Sequence, residues 1–397
     1  MTRWFPDFEH LPMKIAVLAD FPTHCIEGFP GAVNPCGHFA TWLPQIAESF
    51  ERIPGLEVHW IVLSPDVSEA LTLESFGQRF HVLRTSASGR ATSFYREDRK
   101  QINRKLREIE PDLVHGWGSE DVHGFAAARS GYPCLISMQG LLTHYMLKNR
   151  MNARQYFCAW IEWRMLRTAR YVTCESKWGL EVVRKRARRA QLFQVEYGVD
   201  PRFFSVKWSP DPDRKSVIFV GTLAPRKGVM DLIQAFADPK LAEVELWICG
   251  GGSGRYAKRM AAKATPNVKW LGYLSREETA ERMARAWCLA LPTRCDTSPN
   301  VVKEARTIGM PVVTTPCGGQ SDYIEDGRNG FLVAPGDIRR LREALSRTVG
   351  ELEFCRSLGA YRHEEQRAFF EPGRTGEAFA RIYRELIAAQ PKEKCIV

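Results

Sequence analysis

Short apolar runs of strand length alternate along this chain with stretches of helical period. Lys14 to Leu18 (KIAVL) is the first such run, broken by Asp20-Phe-Pro. A loop rich in glycine, proline and asparagine (Gly28 to Gly37) leads into a helical pattern from His38 that lasts until Gly55, and Glu57 to Leu63 (EVHWIVL) is the next run. Strand, glycine-rich loop, helix, strand is the opening of a doubly wound α/β domain. Pro133 to Gln139 (PCLISMQ) reads as a further buried strand. The series restarts at Ser216 to Val220, with a helix from about Met230, and continues at Glu245 to Cys249, Asn267 to Tyr273, Trp287 to Pro292 and Pro311 to Thr314. Helical patterns follow Asp337 to the end. Two such series predict an α/β protein with two Rossmann-like doubly wound domains.

One helical stretch carries a second signal. From Arg154 to Val172, steps of about 100° per residue separate an aliphatic side (Cys158, Ile161, Met165, Leu166, Ala169) from a side holding Tyr156, Trp160, Trp163 and Tyr171 with Arg164, Arg167 and Arg170. Aromatic residues interleaved with arginine suit contact with anionic headgroups. Lys148 to Arg189 holds twelve Lys or Arg against Glu162, Glu175 and Glu181, so much of the net charge of +10 is local. An anionic membrane surface is the partner this predicts for Arg154 to Arg189. A helix buried against its own domain, followed by a solvated basic turn, is the competing reading. No nucleic-acid reader motif accompanies the patch.

Composition sets outer bounds. A chain of 397 residues fits two domains better than one core, and 44% apolar with 26% charged residues is that of a soluble globular protein. The start MTRWFPDFEHLP resembles no signal peptide, no apolar run reaches membrane-spanning length, and the 11 cysteines include no C-x-x-C pair. The expectation is a cytoplasmic protein with reduced thiols, peripheral to the inner face of a membrane.

The stretch from Cys295 to Gly330 carries the densest candidate chemistry. Pro299 stands where a helix prefers proline, in its first turn, so Ser298, Pro299, Asn300 and Val301 form a helix start whose free N–H groups and dipole favour an anion. Asp296 lies just before that seat and Glu304 two turns into the helix. Two carboxylates flanking an anion seat suit a nucleotide sugar: hexose at Asp296, diphosphate at the helix start, ribose at Glu304. The ordinary alternative is a helix with solvated carboxylates.

This segment resembles the donor-site signature of the retaining glycosyltransferases of family 4, the group 1 glycosyl transferases of GT-B fold. There, two glutamates are separated by seven intervening residues, the second followed directly by A-x-x-x-G-x-P-V-V. Here Asp296 takes the first position and Glu304 the second, followed by Ala305, Gly309, Pro311, Val312 and Val313. Gly318, Gly319, Asp322, Ile324, Asp326, Gly327, Asn329, Gly330, Leu332 and Val333 match the continuation. Gly221-Thr-Leu-Ala-Pro-Arg-Lys-Gly228 resembles the family's G-[RT]-L-x-x-x-K-G element, with Lys227 as its lysine, Thr222 where many relatives have arginine, and Arg226 as the substitute cation. Gly250 and Gly252 resemble the glycine turn at which backbone approaches the donor, and Tyr273 ends the strand that often meets the base. In the first half, Gly37 matches the second glycine of the family's Gly-Gly turn, with Cys36 at the first. Asp112 to Gly118 resembles P-D-[VI]-[VI]-H-x-H with Trp117 at the second histidine, and Gln139 stands where many relatives have a histidine that positions the sugar. His115 and His144 are nearby candidates to compensate.

The resemblance implies two Rossmann-like domains facing a central cleft. Glu196-Tyr-Gly-Val-Asp200 resembles the interdomain linker, which places an acceptor-binding domain at 13–198, a nucleotide-sugar-binding domain at 199–370 and a helix crossing back at 371–390. It further implies transfer of a hexosyl unit from a nucleoside-diphosphate sugar to the hydroxyl of a sugar or lipid-linked acceptor with retention, in envelope polysaccharide, exopolysaccharide or glycolipid synthesis. The family shows no evident carboxylate nucleophile. In the front-face scheme the departing phosphate takes the acceptor's proton, leaving Lys227 and Arg226 to stabilise charge and Asp296 and Gln139 to orient the sugar. No cofactor and no metal are expected: Asp211-Pro-Asp213 mimics an acidic metal motif but reads as a turn. A nucleotide-sugar 2-epimerase or hydrolase, or a binding homologue without turnover, would share this architecture. A nicotinamide dehydrogenase would need G-x-G-x-x-G after the first strand, which is absent.

Overall fold

The computed structural model describes residues 12–30, 40, 42–147, 151–252 and 254–390. The chain forms two compact units. Unit 1 is built from the described residues up to Glu175, from Leu180–Gly198 and from Pro372 onward; unit 2 is built from Ser176–Gly179 and Val199–Glu371.

Unit 1 holds an eight-stranded sheet of β1 (Met13–Leu18), β2 (Leu56–Ser64), β3 (Leu71–Ser75), β4 (Gln78–Arg84), β5 (Leu113–Trp117), β6 (Cys134–Met138), β7 (Tyr171–Cys174) and β8 (Gln191–Gln194). Their order is β3-β4-β2-β1-β5-β6-β7-β8, and every pairing is parallel except β3 with β4. Strands covered on both faces need apolar residues at successive positions, which is why β1 and β2 read as unbroken runs rather than alternations. Chain order reverses beside β1, between β2 and β5, and such a reversal opens a ligand crevice at the carboxyl ends of the strands. Phe21, just past β1, packs edge-on against Trp60 at 5.0 Å and Phe80 at 4.8 Å. Helix Gly373–Ala388 closes the unit, setting Phe379 against Phe50 and Tyr383 against His115.

His115 is therefore a core residue and not a substitute for a missing site histidine. It is fully buried, its Nδ1 lies 2.6 Å from the Tyr383 hydroxyl and its Nε2 2.7 Å from Ser137 Oγ. Burial pushes its pKa down to about 3, so it is neutral.

Two carboxylates tie the strand-end loops of unit 1. Buried Glu162 accepts from Ser119 Oγ, from the amides of Leu142 and Thr143 and from Thr143 Oγ1. Glu120 accepts from the Ser119 amide at 2.8 Å and the Gly140 amide at 2.7 Å, buckling the end of β5 to the end of β6. Burial pushes the Glu120 carboxyl up to about 7, with Glu162 adding to the rise against the amide bonds that favour the anion.

Helix Ala153–Thr168 begins in a capping box of Asn152 with Gln155. It ends earlier than its periodicity suggests: Ala169 is extended, and Tyr171, expected on the aromatic face, begins β7. Otherwise the faces separate. Cys158, Ala159, Ile161, Glu162, Met165 and Leu166 are buried, while Tyr156, Trp160 and Trp163 are 45%, 42% and 43% exposed.

Unit 2 holds a six-stranded parallel sheet of β9 (Ser216–Val220), β10 (Glu245–Cys249), β11 (Val268–Gly272), β12 (Cys288–Leu291), β13 (Val312–Thr314) and β14 (Gly330–Leu332), ordered β11-β10-β9-β12-β13-β14. Its chain order reverses between β9 and β12. Helix Asn300–Ile308 is buried along nearly its whole length, and Arg306 seats it: the guanidinium donates to the carbonyls of Met310, Gly359 and Tyr361 and to Gln366 Oε1. Among the described residues no helix is long and apolar enough to cross a membrane, and the nine described cysteines form no disulfide.

Two outcomes follow for stability. Arg306→Met strands three carbonyls and is expected to destabilise unit 2 by about 3 kcal/mol or more, seen as an earlier urea transition; an unmoved midpoint would refute the seating role. Glu120 holds its proton more tightly folded than unfolded, so its stabilisation is complete below pH 4.5 and is lost as pH rises through about 7. Melting temperatures of wild type should fall relative to Glu120→Gln between pH 5 and 8; parallel curves would contradict the raised pKa.

Candidate functional site: a charged cluster at the strand ends of unit 2

The loop after β9 and the loop after β10 pack on each other at the carboxyl end of the unit 2 sheet. The Gly221 amide donates to Cys249 O at 3.0 Å, Leu223 N to Gly251 O at 3.0 Å, and Gly250 N to Gly272 O at 2.6 Å. Gly252 lies against Leu223, and the Tyr273 ring lies over Gly251, 65% exposed. Thr222 is exposed on the same loop. Pro225–Lys227 then forms a single 3-10 turn, closed by Gly228 at φ +72°. A Cβ at Gly228 would stand 2.0 Å from Pro292 O, so only glycine lets this turn sit on the chain leaving β12. The Arg226 carbonyl accepts from Arg294 N at 2.7 Å and Thr293 Oγ1 at 3.0 Å, and Arg294 is clamped in turn by both oxygens of Asp231.

That chain brings Asp296 to the turn. Lys227 Nζ is hydrogen-bonded and ion-paired to Asp296 Oδ2, and Arg226 Nη1 lies 3.7 Å from the same oxygen. Burial by itself would raise the Asp296 carboxyl, but the Lys227 and Arg226 charges, with hydrogen bonds from Lys227 and the Thr297 amide, outweigh it and hold the group below the ordinary aspartate value. The backbone here is equally fixed. Asp296 N donates to Cys317 O, Gly319 N donates to Asp296 O, and a Cβ at Gly318 would lie 1.8 Å from Asp296 O.

Pro299 departs from its expected place. It is the N-cap of helix Asn300–Ile308, outside the first turn, so the leading amides are those of Asn300 and Val301. Ser298 Oγ is 3.0 Å from the Tyr323 hydroxyl. Glu304 is buried and not solvated: Arg276 Nη2 donates to its Oε1 at 2.7 Å, while Arg276 Nε reaches Asp200 Oδ2 at 3.3 Å and the guanidinium stacks on Phe203 at 4.9 Å. Burial opposes the Arg276 charge, but Glu304 and Asp200 more than restore it and raise its pKa. Thus Lys227, Arg226, Asp296 and the start of helix Asn300–Ile308 all lie past the carboxyl ends of the central strands β9 and β12, whereas Glu304 belongs to a separate ion-pair cluster.

The remaining residues fall elsewhere. Gln139 belongs to unit 1, at the end of β6; oriented with its carbonyl oxygen toward two indoles, it accepts from Trp117 Nε1 at 2.9 Å and Trp42 Nε1 at 3.1 Å. His144 is half-buried in a short helix of that unit. Gly37, with Cys36, lies outside the described residues. Asp213 N donates to Asp211 Oδ1 at 3.0 Å, a turn. Arg276 and the Asp231–Arg294 clamp were not singled out from sequence; Arg276 follows Tyr273 closely, but nothing local marks it as the partner of a buried glutamate.

Comparison with known proteins agrees with this architecture. A model of glycosyltransferase family 4 matches residues 43–203, and one of group 1 glycosyl transferases matches residues 214–351. A GDP-mannose-dependent alpha-mannosyltransferase of Mycobacterium tuberculosis is 30% identical over 269 residues, 62% of this chain and 67% of the relative. An alpha-D-kanosaminyltransferase of Streptomyces kanamyceticus is 27% identical over 205 residues, half of each chain, so the matched stretch spans only about half to two-thirds of these two relatives. Among solved structures, sucrose-phosphate synthase from Thermosynechococcus elongatus superposes with a TM-score of 0.77 at 18% identity, covering 95% of this chain and 100% of that one. Anabaena HepE in complex with UDP-glucose gives 0.68 at 18%, covering 93% and 99%. With two parallel-sheet α/β domains of GT-B type and these matches in both halves, the chain belongs to glycosyltransferase family 4, the group 1 glycosyl transferases.

Proposed function

We propose that this glycosyltransferase takes a hexosyl unit from a nucleoside-diphosphate sugar and transfers it, with retention, to a hydroxyl of a sugar or lipid-linked acceptor in glycan synthesis. The observation that carries the donor reading is the convergence of Lys227 and Arg226 on one oxygen of Asp296, beside the start of helix Asn300–Ile308. Two cations and the leading amides of a helix suit a diphosphate. Asp296, at the same place, offers oxygens to sugar hydroxyls. As charge builds on the leaving diphosphate, cations fixed in a turn stabilise it without reorganising. Relatives support the donor class: HepE is solved with UDP and with UDP-glucose, and two matched mannosyltransferases are GDP-mannose-dependent. The Tyr273 ring, exposed beside Gly251, is proposed to stack on the base, and Glu304 to hold the ribose with Arg276 as its support. No step needs a metal in this scheme.

For the acceptor side, the outward face of helix Ala153–Thr168 favours a lipid surface. Arg164 lies 5.2 Å over the Trp160 ring and Arg167 4.8 Å over Trp163, so arginine and indole present themselves together. Phe94 joins them, 45% exposed and edge-on to Phe157 at 5.3 Å and Trp160 at 5.8 Å. Phe94 and Tyr95 both sit at positive φ, 53° and 54°, a conformation costly for aromatic residues. Strain that leaves a phenyl ring in solvent suits a ring used for contact. Glu162 and Glu175 are buried, so they do not neutralise the surface arginines.

Two experiments test these readings. Among UDP-, GDP-, ADP- and dTDP-sugars, those of one base should raise the melting temperature by mass action, and Lys227→Ala should lower kcat/KM with that donor about 100- to 1000-fold; no shift with any nucleotide sugar would sink the donor reading. Phosphatidylglycerol vesicles should retain wild type at low salt and release it as salt rises, with Trp160→Ala/Trp163→Ala retained far less. Equal retention of both proteins would remove the membrane face.

A further inference from the structure

Asp296 occupies the cations that the donor's diphosphate must use, and this has a consequence for which ligand the site prefers. Its carboxylate touches Lys227 and lies 3.7 Å from Arg226, with Lys227 and Asp296 each only 14% exposed. It has little freedom to withdraw. The side chain is short, the Asp296 amide and carbonyl are bonded to Cys317 and Gly319, and the backbone runs against Gly318 with no room for a Cβ between. The Gly228 turn on Pro292 and the Arg294–Asp231 clamp fix the cations from the other side. A diphosphate entering this seat therefore shares its cations with a resident anion that stays in place.

The two ligands of the reaction meet that anion differently. An intact nucleotide sugar brings hydroxyl groups that can donate hydrogen bonds to the carboxylate and offset the repulsion. Cleavage of the anomeric C–O bond leaves its electron pair on the diphosphate oxygen, and the acceptor oxygen bonds the anomeric carbon. The acceptor's hydroxyl proton, first taken by that phosphate, passes to water near neutral pH. The product then carries one more negative charge than the donor, and the hydroxyls have left with the transferred sugar. Like charges close together disfavour each other, most strongly where water is excluded.

We propose that Asp296 is a specificity-determining anion that sets the preference of the site for intact nucleotide sugar over its nucleoside diphosphate product and drives product release. This rests on the donor reading above and adds to it a direction: the residue that holds the sugar also weakens the product. Lys227 and Arg226 alone would bind the product better than the donor.

Titration calorimetry with UDP, GDP and ADP and with UDP-glucose, GDP-mannose and ADP-glucose tests this on wild type, Asp296→Asn and Asp296→Glu. Asn is isosteric and uncharged, and circular dichroism reports whether it folds. Asp296→Asn is expected to bind the cognate nucleoside diphosphate about tenfold tighter while binding the matching nucleotide sugar no better or more weakly. Asp296→Glu keeps the charge and is expected to keep the wild-type preference for sugar over product. A folded Asp296→Asn that binds the diphosphate no tighter than wild type overturns the proposal while leaving the donor reading intact. Wild type that binds none of the six compounds overturns the donor reading, and this proposal with it.

Discussion

The contact of Asp296 with Lys227 and Arg226 is the constraint around which unit 2 is arranged. Opposite charges that are half-hidden from water attract strongly but carry a desolvation cost, and they hold a defined geometry only if the chain around them cannot relax. Here each partner sits on a loop at the carboxyl end of the sheet, and the loops are fixed by backbone hydrogen bonds together with the Arg294–Asp231 clamp. The outcome is a small charged cluster of fixed geometry, which is what the proposed stabilisation of a departing diphosphate requires.

Glycine makes that fixity possible in two places. At Gly228 the turn carrying both cations meets Pro292, and at Gly318 the chain meets Asp296 O; in each, a methyl group would overlap a carbonyl oxygen. The glycines of the signature thus act less as flexible points than as close contacts. They bring three segments, far apart in sequence, within hydrogen-bond reach. Arg306 then holds the signature helix from behind by filling three carbonyls that would otherwise be buried without donors.

Unit 1 solves a comparable problem with carboxylates. Glu162 and Glu120 gather the amides of the loops after β5 and β6, and Gln139 takes two indole donors, so the strand ends are ordered by acceptors rather than by cations. On the outside, helix Ala153–Thr168 turns its aromatic and arginine residues to solvent. The closing helix completes the core and converts His115 from a candidate site group into a neutral core residue.

Periodicity and spacing by themselves determined the two sheet series, because strands buried on both faces must be apolar at successive positions and glycine or proline must break them. The fixed intervals of Asp296, Glu304, Lys227 and the glycine turns also carried the family resemblance on which the proposed donor segment rests. β3, β4, β7, β8 and β14 were not legible: short or half-polar strands gain their identity from neighbours in the sheet, not from local pattern. Tertiary structure alone decided which charges meet. Asp296 and Lys227 are 69 residues apart and Arg276 and Glu304 are 28 apart, and an arginine that will pair with a buried glutamate looks in sequence like one left in water. It also decided that His115 is sealed while Trp160 is exposed, because burial depends on which elements pack over a residue, and no interval along the chain records that.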